Sequence, residues 1–233
     1  MLMSNNKLVI TLVNIFVYLL VFGIIIYAKM VGMQSYDVFY EVVKEDGLAE
    51  YLTTIFLLGA AVIFGISAFR AVRSGNRKQL LLSIVMVLLF IFGAGEELSW
   101  GQRLLNRETG EFFSQYNYQG ETNLHNLELW GVNINKLIFS KLMFIGLGFY
   151  FLVMPLLVWK MAWVRRLVTG FGLPLPRLHH VIALLAQNAI VLSIGLLREG
   201  ELHELSLTSI LFLVFLAPAR RVFGIPLEKS SGE

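Results

Sequence analysis

Six stretches of this chain, at roughly 8–29, 49–70, 79–98, 136–159, 178–197 and 203–219, are apolar over close to the length a helix needs to cross a bilayer, about 20 residues. No other feature limits the fold as strongly, because runs of that length fill most of the 233 residues and leave too little polar surface for a water-soluble globule. Composition points the same way, with 57% hydrophobic and 15% charged residue types. The expected fold class is therefore all-α: a polytopic membrane helix bundle of six spans, forming one transmembrane domain over residues 1–233. The first run, Leu8 to Ala28, outlasts the apolar core of a signal peptide, and Tyr27-Ala28-Lys29-Met30 offers no small-x-small cleavage site, so it reads as an anchor. With no cysteine in the chain, disulfides, thiolate metal sites and cysteine nucleophiles are excluded.

Orientation follows from where Lys and Arg fall between the spans. With the N-terminus inside, the inner segments hold Lys7, then Arg70, Arg73, Arg77 and Lys78, then Lys160, Arg165, Arg166 and Arg177, and finally Arg220, Arg221 and Lys229. These are 12 of the 19 basic residues, accompanied by only Glu228 and Glu233 of the 16 acidic ones. Both termini are then cytoplasmic, and a bacterial inner membrane is the expected location. Trp159 and Trp163 fall at the inner aromatic belt, and Trp100 and Trp130 at the outer one. The net charge of +3 reflects this segregation, so membrane lipids are the expected partners and nucleic acid is not.

Two outer connections are long, 30–48 and 99–135, and loops of that length carry function or cover something. In 99–135, Leu104, Leu105, Phe112, Phe113 and Tyr116 are spaced for short amphipathic pieces at the membrane surface, with Thr109 as an N-cap. Gly172, Pro174 and Pro176 interrupt the inner connection before the fifth run.

Three clusters of chemistry-bearing residues fall at the outer boundary. Glu45-Asp46-Gly47 with Glu50-Tyr51 leads into the second run, and Asp46 and Glu50, four apart, share a helical face if that helix starts early. Gly95-Glu96-Glu97-Leu98-Ser99-Trp100-Gly101-Gln102-Arg103 closes the third run. Adjacent carboxylates beside an unbroken apolar stretch need compensation, and Arg103 lies on the face of Glu96 if the helix continues through Trp100. The third cluster combines Asn123-Leu124-His125-Asn126 with Arg198-Glu199-Gly200-Glu201-Leu202-His203-Glu204. His125 and His203 are the two outer histidines, and Glu199 and His203 have a helical ligand spacing if Gly200 does not break the turn. Imidazoles and carboxylates on one membrane face are the donor types of a zinc or other divalent metal site, although no His-Glu-x-x-His is present. Gln187 and Asn188, inside the fifth run, read as hydrogen-bonding links between helices, as do Thr53, Thr54 and Asn14. No run of charges crosses the bilayer, which argues against a transport path.

The first two motifs and Asn123-Leu124-His125-Asn126 together resemble a group of uncharacterised bacterial multi-pass membrane proteins over residues from about 40 to 140. That resemblance implies no activity. The chain is similar in part to the CAAX-type membrane proteases, which use Glu-Glu-x-x-x-Arg with later histidines to hold a metal-activated water. Glu96-Glu97 matches, whereas Gly101 stands in the arginine position and Arg103 follows two residues later. Alkaline ceramidases are similar in an acidic, tyrosine-containing helix start, but their paired-histidine helix has no counterpart here.

The resulting expectation is metal-assisted hydrolysis or group transfer on a lipid, a lipid-linked sugar or a membrane peptide. Glu96 or Glu97 would be ligand or general base, His125 and His203 ligands, and Glu50 and Glu199 supporting carboxylates, with Arg103 holding a substrate phosphate or carboxylate. The alternative is a non-catalytic scaffold or accessory subunit in which Arg103, Arg107 and Lys136 tie the outer acids together.

Overall fold

The computed structural model describes residues 2–103, 105–124, 126–129, 132–133, 143–218, 221–223 and 225–227, whose regular structure is helical apart from two short hairpins. Helix α1 (Leu2–Gly32) is followed by the short α2 (Tyr36–Val43), then by α3 (Leu48–Ser74) and α4 (Arg77–Glu97). Gly75-Asn76 turns α3 back into α4, where the Asn76 side chain accepts from the Gln79 amide at 3.1 Å and caps the new helix. The two helices pack antiparallel, with Phe64 stacked on Phe90 and the Ser83 hydroxyl donating to Ser67 at 3.0 Å. After the loop that holds α5 (Glu111–Tyr116) and the β1–β2 hairpin (Glu128–Leu129 and Val132–Asn133), the chain resumes as α6 (Met143–Gly148). A π-helical turn, Phe149–Val153, joins it to α7 (Met154–Lys160). Helix α8 (Ala162–Phe171) departs at 119° to the helix before it. Helices α9 (Leu178–Leu192) and α10 (Gly200–Leu216) form a second antiparallel pair, followed by the β3–β4 hairpin (Arg221–Val222 and Ile225–Pro226).

Helix α10 lies at the centre, against α3, α9 and α1. One apolar cluster joins Val21, Ile25, Phe39, Val43, Leu202 and Leu205, and a second joins Phe64, Phe90, Phe151, Val214 and Phe215. The outward faces of α1, α3 and α4 are just as apolar: Phe16, Leu19, Ile55, Val62, Leu81 and Leu88 are all exposed. Bare apolar surface along whole helices is the mark of a chain solvated by hydrocarbon. Three helical stretches, Lys7–Gly32, Tyr36–Ser74 and Arg77–Glu97, are long and apolar enough to cross a membrane. A fourth is added if the bent pair Ile145–Lys160 and Ala162–Phe171 counts as one.

The remaining expected spans differ from the sequence reading in extent. Within 178–197 the helix stops at Leu192, after which the Ser193 hydroxyl turns onto its own helix (Ile190 O, 2.5 Å) and Gly195 takes a left-handed φ of 65°. At 1.5 Å per residue α9 is about 22 Å long and α10 about 26 Å, both short of a hydrocarbon core of about 30 Å. In the 203–219 run the helix begins at Gly200, which starts the turn rather than breaking it, and ends at Leu216. The first part of the 136–159 run, through residue 142, lies outside the described residues, as do His125, Trp130 and Lys136.

The two ends of the bundle differ in charge. Where α3 and α10 begin and α4 and α9 finish, the described acidic residues gather; the opposite end carries Arg73, Arg77, Lys78, Lys160, Arg165 and Arg166.

Candidate functional site

Helix α4 does not continue through Trp100. It ends at Glu97, and the next turn runs through left-handed backbone at Ser99 (φ 46°), Trp100 (φ 54°) and Gly101 (φ 76°). Only Gly101 takes such a φ without cost, and the two other residues each store strain of about 1–3 kcal/mol, which surrounding contacts must offset. The Trp100 indole folds back over Gly95, where an added Cβ would sit 2.9 Å from the ring, and its N–H donates to Glu96 at 2.7 Å. The second Glu96 oxygen accepts from the Leu124 amide at 2.7 Å. The buried Glu96 carboxylate therefore fastens both the turn and the distant loop to the end of α4.

This reversal carries Arg103 away from the continued helical face expected for it and onto three other carboxylates. Its Nε lies 2.9 Å from Asp46, and its two terminal nitrogens donate to Glu50 and to Glu121. One of them also reaches the Glu97 carbonyl at 3.4 Å. Burial opposes the guanidinium charge, but Glu50, Glu121 and Asp46 outweigh it and hold the Arg103 pKa above its ordinary value. Asp46 and Glu50 meet by a route other than a shared helical face. Asp46 precedes the helix with a φ of 56°, and Glu50, third residue of α3, reaches back to accept the Asp46 amide at 2.8 Å, much as in a capping box.

Glu121 anchors the loop. Its second oxygen accepts from the Ser99 hydroxyl at 2.7 Å and from the Asn123 amide at 2.8 Å, while Asn117 donates to both Asn123 oxygens at 2.9 and 3.0 Å. All four of these side chains are buried. Ser99 is thus occupied in holding the loop, in keeping with the missing nucleophile elbow. Thr109 is not an N-cap: α5 starts after Gly110, and the Thr109 hydroxyl donates to Gly120 O while accepting from Gln102 at 2.5 Å.

A second acidic group stands beside this network. Glu97 from the end of α4 and Glu201 and Glu204 from the first turns of α10 each offer an oxygen, all within 4.8 Å of one another. Among the described residues this is the one group of three ligating side chains so close. Its members are half-buried. Three carboxylate oxygens that near, on two different helices, are a donor set that one divalent cation could share.

The expected ligands divide accordingly. Glu50 joins Arg103, and Glu97 joins Glu201 and Glu204. His203 turns its Nδ1 to the Asn188 Oδ1 instead, and Glu199 accepts the Gly195 amide at 2.9 Å, so their helical spacing does not bring them onto a common ion. His125 lies outside the described residues. Glu201 and Glu204 fall within the third sequence cluster but were given no ligand role there, and Glu121 was not singled out. The i, i+3 spacing of Glu201 and Glu204 on a helix start was the available signal, whereas nothing local marks Glu121. Gln187 and Asn188 do link helices: Ser206 donates to Gln187 at 2.8 Å, and Asn188 donates to Ser206 at 3.2 Å. No family model, curated protein or solved structure matches the chain.

Proposed function

We propose that the chain is a six-span inner-membrane protein with cytoplasmic termini, of the bacterial multi-pass group it resembles, in which the short α9 and α10 cross as a pair completed by the turn between them. In this reading Glu97, Glu201 and Glu204 hold a divalent cation at the extracytoplasmic rim. The observation that carries it is the convergence of three carboxylate oxygens, from two different helices, within 4.8 Å at the boundary of an apolar bundle. An all-oxygen donor set favours a hard ion such as Mg²⁺, Ca²⁺ or Mn²⁺ over zinc. Such an ion would supply Lewis acidity and lower the pKa of bound water, chemistry that would suit hydrolysis or group transfer on a lipid, lipid-linked or membrane-peptide substrate. Arg103, saturated by its own carboxylates, is then a positioning residue that holds Glu50 and the loop beside the cation.

The test is elemental analysis of purified protein equilibrated with Mg²⁺, Ca²⁺ and Mn²⁺, as wild type and as the double variant Glu97→Gln, Glu204→Gln. About one ion per chain is expected in the wild type and loss of it in the variant. A wild type without stoichiometric ion, or a variant that keeps it, overturns the reading.

The scaffold reading is favoured by a different observation, the Arg103 hub, which joins three sequence-distant segments as a structural tie does. It is the conclusion to adopt if no ion binds and substitutions at both acidic groups alter stability alone.

A further inference from the structure

Helix α8 carries more apolar surface than the protein covers. Val164 and Val168 face inward, buried with Val158, Leu175 and Val222. With about 3.6 residues per turn, Trp163 and Leu167 extend the same apolar sector around the helix, yet they are 58% and 44% exposed. Arg165 and Arg166 occupy the remaining side.

The helix also lies across the bundle. Its turn of 119° from Ile145–Lys160 takes it away from the span direction at the level where α3 passes into α4. There Asn76 donates to Gly170 O at 3.3 Å, and the Lys78 ammonium stands 5.9 Å from the Phe171 ring centre. Around it are Arg73, Arg77, Lys78 and Lys160. Among the described residues neither these four nor Arg165 and Arg166 form an ion pair, and the ion pairs that do occur stand at the acidic end.

We propose that α8 is an interfacial helix that binds the phosphate headgroups of anionic phospholipids. Trp163 and Leu167 sit in the acyl boundary, and Arg165 and Arg166 lie on the headgroup phosphates. Three points select this occupant. Helix α8 packs beside α4, whose outer face is itself bare apolar surface, the cross-bundle direction fits the plane of the leaflet, and among the described residues these basic groups lack anions. A second copy of the chain would bring the same uncompensated positive charge against this face. The inference needs only that the chain crosses a membrane, and is independent of the acidic group at the other end.

Because the chain has no native cysteine, Leu167→Cys gives a single site for a nitroxide label. In full-length protein reconstituted into phosphatidylcholine discs with and without phosphatidylglycerol, the label is expected below the phosphates, accessible to oxygen and shielded from a water-soluble nickel complex. Native mass spectrometry is expected to show phosphatidylglycerol retained in preference to phosphatidylcholine. Retention should weaken roughly fivefold for each arginine removed in Arg165→Gln and Arg166→Gln, and recover in the lysine variants. A label open to the aqueous reagent, or shielded from both reagents as beneath a protein partner, overturns the proposal. So does equal retention of the two lipids, or retention indifferent to the arginines. The label measurement uses both native arginines, so it decides the question even if the glutamine variants fail to fold.

Discussion

The guanidinium of Arg103 is largely withdrawn from water, with 19% of its side chain exposed, and its partners Glu50 and Glu121 are more deeply buried at 6% and 8%. Truncating the arginine strands two carboxylates, and breaking a buried pair from one side costs about 3–5 kcal/mol. Arg103→Ala should therefore lower the thermal midpoint of the purified protein markedly in a detergent unfolding assay. Arg103→Lys should recover only part, since a single ammonium cannot satisfy carboxylates on three sides. Gly95 sets a different limit. Its hydrogen is all that fits beneath the Trp100 ring, so Gly95→Ala should displace the indole and cost about 1–3 kcal/mol, seen as a shift in tryptophan emission together with reduced stability. The need of Glu96 and Glu97 for compensation was legible from their place beside an apolar run. The identity of Arg103's partners was not, because it depends on a left-handed turn at Ser99 and Trp100, residues whose own preferences give no hint of it.

Helices α9 and α10 meet along a polar seam in which His203, Asn188, Ser206 and Gln187 are hydrogen-bonded in sequence. Hydrogen bonds between helices in apolar surroundings average near 0.6 kcal/mol. Asn188→Ala and His203→Ala should each destabilise by about 1 kcal/mol while leaving the bound divalent ion content of the protein unchanged. Loss of the ion in His203→Ala would return that histidine to the ligand set. At this scale the apolar runs showed where helices α1, α3 and α4 belong, because long unbroken hydrophobicity needs no tertiary information. The ends of α9 and α10 were less legible, since the chain leaves the helix at Ser193 and turns through left-handed Gly195 inside a run that hydropathy reads as continuous.

Across the whole molecule, the described acidic groups gather at one end, with Lys44, Arg103 and Arg198 paired among them, while basic groups without ion pairs gather at the other, and a cysteine-free chain lets that polarity be mapped directly. Tyr118→Cys, on the exposed acidic loop, and Arg166→Cys, on α8, should react with an impermeant maleimide from opposite faces of sealed membranes. Under the proposed orientation the first labels in intact spheroplasts and the second only after lysis. Labelling of both from one face would reject the six-span arrangement. The separation of charge was readable in the order of Lys, Arg, Asp and Glu along the chain. The division of the acids into an arginine-bound set and a carboxylate triad was not, because it arises from contacts between helices that are far apart in sequence.

The geometry of Arg103 also has a bearing on biogenesis. Asp46 and Glu50 precede the second apolar run and Arg103 follows the third, so the clasp can close only after the intervening hairpin of α3 and α4 has entered the bilayer and returned. Glu121 comes later still from the ribosome and completes it. A nascent chain whose hairpin stalled would leave a cation and its anions on opposite sides of the membrane and the loop behind them unfastened. Under the proposed topology, the clasp therefore joins residues that meet only once both helices of this hairpin have crossed.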